Sequence, residues 1–382
     1  MDFDLPEEHR MFQKAARDFA EKEIAPLVDE AEKNEKTPVE IYPKMGQLGY
    51  LCPSYPEELG GGGLGKLGDC ILYEEIARIC SGICAGIMIH GGLGTSSIYK
   101  HGTKKQIQEY LIPAIKGEKI SGFGLTEPNA GSDAAAMETT AVLKGEHYVL
   151  NGTKMFITNS PFADFILIAA YTDKKKGPGG GVSQFIVERG TPGFTVNKLK
   201  KLPVHSAETA EIIMDECRIP KENLIGEEGK GFHYVMEGLA GGRIVHAAHS
   251  VGIAKAAFEA SLEYAKTRVQ FGKPIGNFQA IAFKIARMAL DIESARSLTY
   301  RSAWLIDQGR ECNTEAAMTK LFASEACNRV TTDAMQVHGG YAFVMDSPVQ
   351  RYFRDARVRT VTEGSTEVQL TLIARSLGLK PS

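Results

Sequence analysis

No C-x-x-C pair occurs in this sequence, and its seven cysteines (positions 52, 70, 80, 84, 217, 312 and 327) are odd in number. That pattern speaks against a disulfide framework and suits free thiols in a reducing compartment. An excess of positive charge is also missing. With 44 basic and 47 acidic residues the net charge is −3, which leaves no electrostatic footprint for nucleic acid. Nor is any uncharged run apolar enough to cross a bilayer. The longest, "ICSGICAGIMIHGGLGTSSIY" over 79–99, is interrupted by His90, glycines and serines, and reads as helix buried within a helical domain. The start, "MDFDLPEEHR", is acidic where a secretion signal is basic and a transit peptide is rich in arginine. Internal repeats and low-complexity tracts are absent. The expectation is a cytoplasmic protein with no membrane span.

What is present is an ordinary globular composition, 43% hydrophobic and 24% charged over 382 residues, enough for two or three domains. From Glu7 to about Gly117 the apolar residues recur at three and four. "HRMFQKAARDFAEKEIAPLVDEAEK" places Met11, Phe12, Ala15, Phe19 and Ile24 on one stripe, and further helices are expected near 38–49, 67–80, 82–100 and 104–116. At about Ser121 the texture changes to short β-branched and aromatic runs such as "DFILIAAYTD" and "VSQFIVERG", separated by turn residues. Asn151-Gly152 predicts a hairpin turn there, because both central positions of a type I′ turn need positive φ. After "GEEGKGF" the helical period returns over 231–267, 278–308, 314–337 and 365–376. Helices, strands and helices in that order imply an α+β protein rather than alternating βαβ units. The expected domains are 1–120 (all-α), 121–228 (β, a barrel or sandwich) and 229–382 (an all-α four-helix bundle).

Four motifs invite a chemical reading. "GGGGLGKL" from Gly60 to Leu67 contains G-x-G-x-x-G, but no strand precedes it and leucine follows Lys66 where a Mg²⁺-binding hydroxyl is required. It reads as a loop between helices. His246-x-x-His249 puts two imidazoles one turn apart with no third ligand at metal spacing, so no metal site is expected. "FGLTEPNAGSD" over 123–133 combines Thr126, Asn129, Gly131 and Ser132, small and donor-rich, where the chain enters the β domain. Such residues let a planar or anionic ligand approach closely. Finally, "TVTEGSTEVQ" over 360–369 places Glu363 before a glycine. Taken alone, Thr360-x-x-Glu363 fits a capping box better than it fits a general base.

"GLTEPNAGSD", "NGTKMFITN", "RVQFGKPIGNFQAI", "QVHGGYAFVMDSPVQRYFRDARV" and "TEGSTEVQ", in that order along nearly the whole chain, resemble the successive signatures of the acyl-CoA dehydrogenase family. The family's fold has the same α–β–α order. The resemblance implies an enzyme that binds FAD, oxidises the Cα–Cβ bond of an acyl-CoA thioester, passes electrons to an electron-transferring flavoprotein and assembles as a homotetramer. Glu363 stands at the position of the family's base. The place some relatives use instead is Gly242 here, next to Arg243.

The same resemblance implies that Phe123, Leu125, Thr126, Gly131 and Ser132 line the flavin, with Ser132 also near the substrate. Phe156, Ile157 and Thr158 would cover the other ring face, although the family usually has tryptophan first. Arg268, Gln270 and Phe271 would reach FAD from a neighbouring subunit, Gln336, Gly339 and Gly340 would close around its adenosine, and Ser365 with Glu367 would complete the site. Arg243 and Gly364 would contact the acyl-CoA, and Ala240 replaces an acid that helps many relatives hold CoA. Thr362, His90 and His246 are expected beside the acyl group. Thr362 in place of a bulkier residue, with Gly91, Gly92 and Gly94, implies space for a branched, alicyclic or aromatic acyl group. Two other readings share the fold: an enoyl-CoA reductase running in reverse, and a non-catalytic DNA-binding flavoprotein.

Overall fold

The computed structural model describes residues 4–381, so residues 1–3 and 382 of the expected first and last domains lie outside the described residues. The chain opens with α1 (Glu7–Phe19), α2 (Val28–Asn34) and α3 (Ile41–Gln47), followed by α4 (Gly65–Ile79), α5 (Ser81–Gly91) and α6 (Ser96–His101). On α1 the buried stripe is Phe12, Ala16 and Phe19, continued by Ala20 and Ile24. Positions 12, 16 and 19 follow the helical period, and Met11, on the adjoining face, is 67% exposed. The uncharged run over 79–99 is broken between α5 and α6. Among the described residues no helix is long and apolar enough to cross a membrane.

The glycine-rich loop before α4 ends on a helix N-terminus that already carries an anion. The N–H groups of Lys66 and Leu67 donate to the two carboxylate oxygens of Asp307 at 2.6 and 3.0 Å. A carboxylate satisfies the unpaired donors of a first helical turn, and the expected loop reading of this motif holds.

The middle domain is a single curled seven-stranded sheet, a half-barrel. Its strands are β1 (Ser121–Gly124), β2 (Thr140–Lys144), β3 (His147–Thr158), β4 (Phe165–Tyr171), β5 (Val182–Glu188), β6 (Phe194–Lys198) and β7 (Thr209–Pro220). The order is β1-β4-β2-β3-β7-β6, with β5 also paired to β4. The hairpin expected at Asn151-Gly152 does not form there. The turn between β2 and β3 lies at Gly145-Glu146, and β3 runs straight through Asn151 with a register shift between Leu150 and Gly152. The dipeptide serves a bulge instead. A Cβ at Gly152 would lie 2.4 Å from Thr139 Oγ1, and Asn151 bonds the side chain and N–H of Glu216 across the strand pair.

The C-terminal domain comprises α7 (Gly231–Thr267), α8 (Gln279–Asp307), α9 (Asn313–His338), α10 (Pro348–Arg357) and α11 (Thr366–Ser376). Helix α9 packs on the other four. Helix α4 of the first domain joins this bundle through buried Glu74 and Glu75, which accept from Lys255 of α7, while Tyr300 of α8 donates to Glu74.

His90 is spent at the junction of the first two domains. It is fully buried, Ser121 N–H donates to its Nδ1 at 3.0 Å, and its Nε2 donates to Ala114 O at 2.9 Å. Both ring nitrogens are used, so His90 is not the acyl-pocket residue expected from the sequence. This geometry needs a neutral ring, and burial pushes its pKa down to about 4. The unfolded chain binds that proton near pH 6.5, so stability falls as pH drops from 6.5 towards 4, by roughly 3 kcal/mol for this group. We expect His90→Gln to be less stable at pH 7 yet flatter in its loss of urea midpoint between pH 7 and 4.5. An unchanged slope would refute the assignment.

Candidate active site

The approach to Glu363 is built from the backbone. After α10 a short turn (Val358–Thr360) leads into two successive left-handed residues, Glu363 at φ 57 and Gly364 at φ 86. A non-glycine residue held there costs about 1–2 kcal/mol, and neighbouring groups must hold it. Gln369 Nε2 donates to the carbonyls of both Glu363 (3.0 Å) and Gly364 (2.9 Å), and Lys320 Nζ donates to Gly364 O at 2.7 Å. A Cβ at 364 would meet Gln369 Nε2 at 2.6 Å and displace that clamp, and φ 86 strains any residue other than glycine. The capping-box alternative fails. The cap of α11 is Ser365, which accepts from Val368 N–H, while Thr360 bonds Arg357.

The side chain of Glu363 turns towards α7. Its Oε2 would lie 3.1 Å from a Cβ built on Gly242, so a larger residue there would crowd the carboxylate. That oxygen is shielded from solvent and has no hydrogen-bond partner among the described residues. Its pKa is raised by burial, and Arg243, Lys320 and Arg359 pull the other way. No acceptor is found for the Glu363 N–H among the described residues. A shielded carboxylate beside a free N–H is what removing a proton next to a carbonyl requires.

Around this point the expected residues divide. Arg243 is on α7 beside Glu363, its Nε shielded and without a partner. Thr362 is exposed, and its hydroxyl meets His246 Nε2 at 2.7 Å. His246 itself is 1% exposed, and burial with Arg359, Lys320 and His249 nearby holds its pKa well below the usual range. It supports Thr362 from behind, which corrects its expected place beside the acyl group. His249 is occupied by Ser81 and Arg359, so the two histidines share no ligand-binding face.

The three glycines do not make the expected room. A Cβ at Gly91 would lie 1.9 Å from Leu51 O, at Gly92 2.7 Å from Met88 O, and at Gly94 2.4 Å from Ser121 Oγ. They allow close packing at the end of α5, so the volume argument for a bulky acyl group is left with Thr362 alone.

The loop over 123–133 is fixed from below by a buried ion pair. Lys154 Nζ lies 2.7 Å from Glu127 Oε1 and donates to Leu125 O at 3.0 Å, while Glu127 accepts from the N–H groups of Glu138 and Thr139. Met155 N–H donates to Thr126 O at 2.8 Å. Leu125 and Thr126 are thereby presented half-buried, with Gly131 and Ser132 exposed and Phe123 packed partly into the core. Phe156 is 67% exposed with φ 62. Ile157 points into the sheet core at 2% exposure, so of the expected trio it can meet a ligand only through its backbone. Thr158 is half-buried.

A second cavity, of about 430 Å³, is lined by Arg268, Gln270, Gly339 and Gly340 together with Tyr264 and Tyr341. The guanidinium of Arg268 lies 5.5 Å from the Tyr341 ring centre. Phe271, at the tip of the small hairpin after α7, is 94% exposed with φ 50. Phe271, Gln336, Ser365 and Glu367 stand outside that lining.

Sequence reasoning missed Lys320, Arg359 and the Lys154–Glu127 pair. A signal for Lys320 existed: it falls on the stripe Ala316, Ala317, Ala323 and Cys327, where an amphipathic helix keeps its core.

The site is thus a shielded glutamate on a left-handed loop, set in a three-domain α–β–α chain. Models of the acyl-CoA dehydrogenase N-terminal, middle and C-terminal domains match residues 6–118, 122–217 and 229–378. The chain therefore belongs to the acyl-CoA dehydrogenase family. It is 43% identical to a short-chain specific acyl-CoA dehydrogenase of Clostridium acetobutylicum, over 98% of this chain and 99% of the relative. The butyryl-CoA dehydrogenase structure from Megasphaera elsdenii superposes with a TM-score of 0.95 at 41% identity, covering 99% and 100% of the two chains. A chain from a structure described as the electron transferring flavoprotein of Acidaminococcus fermentans gives a TM-score of 0.96 at 44% identity, with 99% of each chain covered.

Proposed function

We propose that this enzyme is an FAD-dependent acyl-CoA dehydrogenase in which Glu363 removes the α-proton of a short-chain acyl-CoA. The observation that carries this reading is the unpartnered Oε2 of Glu363, shielded from solvent on a loop clamped at two carbonyls. The α C–H bond breaks and its proton passes to the carboxylate. The free Glu363 N–H supports the thioester oxygen as charge develops on it, and Arg243 offers positive charge beside the pair. When bound, the flavin supplies the hydride acceptor that no side chain provides.

The residues present suit that cofactor. The loop over 125–132 offers small groups and backbone donors on a fixed base, and exposed Phe156 offers an aromatic face. Arg268 in the second cavity matches a pyrophosphate in charge and geometry. The exposure of Phe271, Phe343 (77%) and Met345 (68%) on one chain fits contact with neighbouring subunits in a homotetramer. An electron-transferring flavoprotein is the proposed acceptor, in keeping with the flavoprotein-related structure above. The reverse, reductive direction uses the same Glu363 to return the proton.

A short, straight acyl group is the reading that the relatives' names support, and the packed glycines offer no room to argue for a larger one. The test is anaerobic mixing of the yellow protein with straight, branched, cyclic and aromatic acyl-CoAs while following flavin bleaching. Butyryl-CoA is expected to bleach fastest. Faster bleaching by a cyclic or aromatic thioester would overturn the chain-length reading.

A further inference from the structure

Lys320 occupies a place where lysine is rarely tolerated. It lies on the buried stripe of α9 and is 0% exposed. An ammonium withdrawn from water is costly unless it is paired and bonded. Among the described residues its one hydrogen bond goes to a neutral carbonyl, that of Gly364, at 2.7 Å. The charges facing it are Glu363 and Glu367, which favour its ammonium, and Arg359 and Arg243, which oppose it. Neutral His246 of α7 stands in the same cluster.

We propose that Lys320 is a positioning residue for proton abstraction: it grips the Gly364 carbonyl, holds the Glu363–Gly364 pair in its left-handed conformation, and keeps a positive charge near the base. This rests on Glu363 being the base. Gln369 Nε2 reaches the same carbonyl at 2.9 Å from α11, so the loop is held from two helices. Gln369 supplies a neutral donor, whereas Lys320 supplies a donor and a charge.

Two pH effects follow. A carboxylate must be ionised to act as a base, and the lysine charge opposes the upward push of burial on Glu363. Removing that charge lets Glu363 keep its proton to higher pH, so the acid limb of activity moves up, by about one pH unit for an opposite charge at close range. Burial in turn holds Lys320 down to about 8, so above that pH the native enzyme loses this charge, and some rate, while the neutral amine still donates to Gly364 O.

The experiment is exchange of the substrate α-proton with deuterated solvent, read by mass spectrometry of recovered butyryl-CoA across pH. It uses flavin-loaded wild type, Lys320→Met, Lys320→Gln and Glu363→Gln, each checked by circular dichroism. Glu363→Gln is expected to abolish exchange. Lys320→Met is expected to shift the acid limb upward, lower the plateau about 10-fold through lost positioning, and lack the alkaline fall near 8. Lys320→Gln should show the same limb shift with a plateau nearer wild type, because it keeps a donor. Wild-type limbs in both lysine variants would overturn the proposal while leaving Glu363 as the base. Exchange persisting in Glu363→Gln would overturn the base assignment itself. If neither lysine variant folds, Lys320 is a folding residue and the proposal fails.

Discussion

Glu363→Gln will retain bound flavin and fold normally, yet lose acyl-CoA-driven flavin reduction by at least 10²–10⁴-fold, the usual cost of removing a general base. The substitution changes little else. Glutamine has the same length, and the loop is held through its carbonyls by Gln369 and Lys320 rather than through the side chain. The oxygen that is altered has no structural partner among the described residues. A large loss therefore reports chemistry and not folding. The alternative position for a base on α7 is Gly242, which carries no carboxylate. Stopped-flow absorbance of the two proteins at matched flavin content measures the ratio.

Lys154→Met is expected to carry the largest stability penalty among these predictions, about 3–5 kcal/mol, read as a lowered urea midpoint. Both members of its ion pair are buried, Lys154 fully and Glu127 at 5% exposure. Losing the ammonium leaves a carboxylate inside the sheet with two backbone N–H groups for company. Pairing the change with Glu127→Gln should recover part of the loss, because the orphaned charge is then gone. Flavin retention on dialysis should also weaken in the single variant, since Lys154 holds the Leu125 carbonyl beneath the proposed cofactor loop. Full stability in Lys154→Met would mean that the buried pair is not what fixes this loop.

The architecture was largely legible in the residues. The helical period over 231–267, 278–308 and 314–337 reappears as α7, α8 and α9 with ends within one residue, although the middle of α7, residues 244–254, is buried on all sides rather than on one face. Turn chemistry was less reliable. Asn151-Gly152 carries a strong local preference, but Thr139 needed a glycine beside it and the strand pairing with β7 overrode the hairpin. On α1, the spacing put Met11 and Ala15 on the stripe with Phe12 and Phe19, yet both are exposed and Ala16 is buried instead, because the direction of burial is set by partners remote in sequence.

In the site, legibility followed the backbone. Glu363 and Gly364 stand in a short motif whose glycine is enforced by its left-handed φ, and Arg268 lies with Gly339 and Gly340 on one cavity. What stayed hidden were contacts across long sequence separation. Lys320 reaches the Gly364 loop from α9, and Lys154 reaches Glu127 of the 123–133 loop from β3. Composition gives such residues no signature beyond a charge on an otherwise apolar face. His90 and His246 were misplaced for the converse reason, since a histidine near a pocket in sequence can spend its ring on the backbone or on a neighbouring hydroxyl.

The central claim is that a Glu363 oxygen takes the proton from the carbon next to the thioester. Single-turnover flavin reduction with butyryl-CoA carrying deuterium only at that carbon tests it most directly. The account predicts slower reduction than with the unlabelled thioester in the native enzyme, and no appreciable reduction by either in Glu363→Gln. Equal rates for the two thioesters, together with undiminished reduction in the variant, would contradict it.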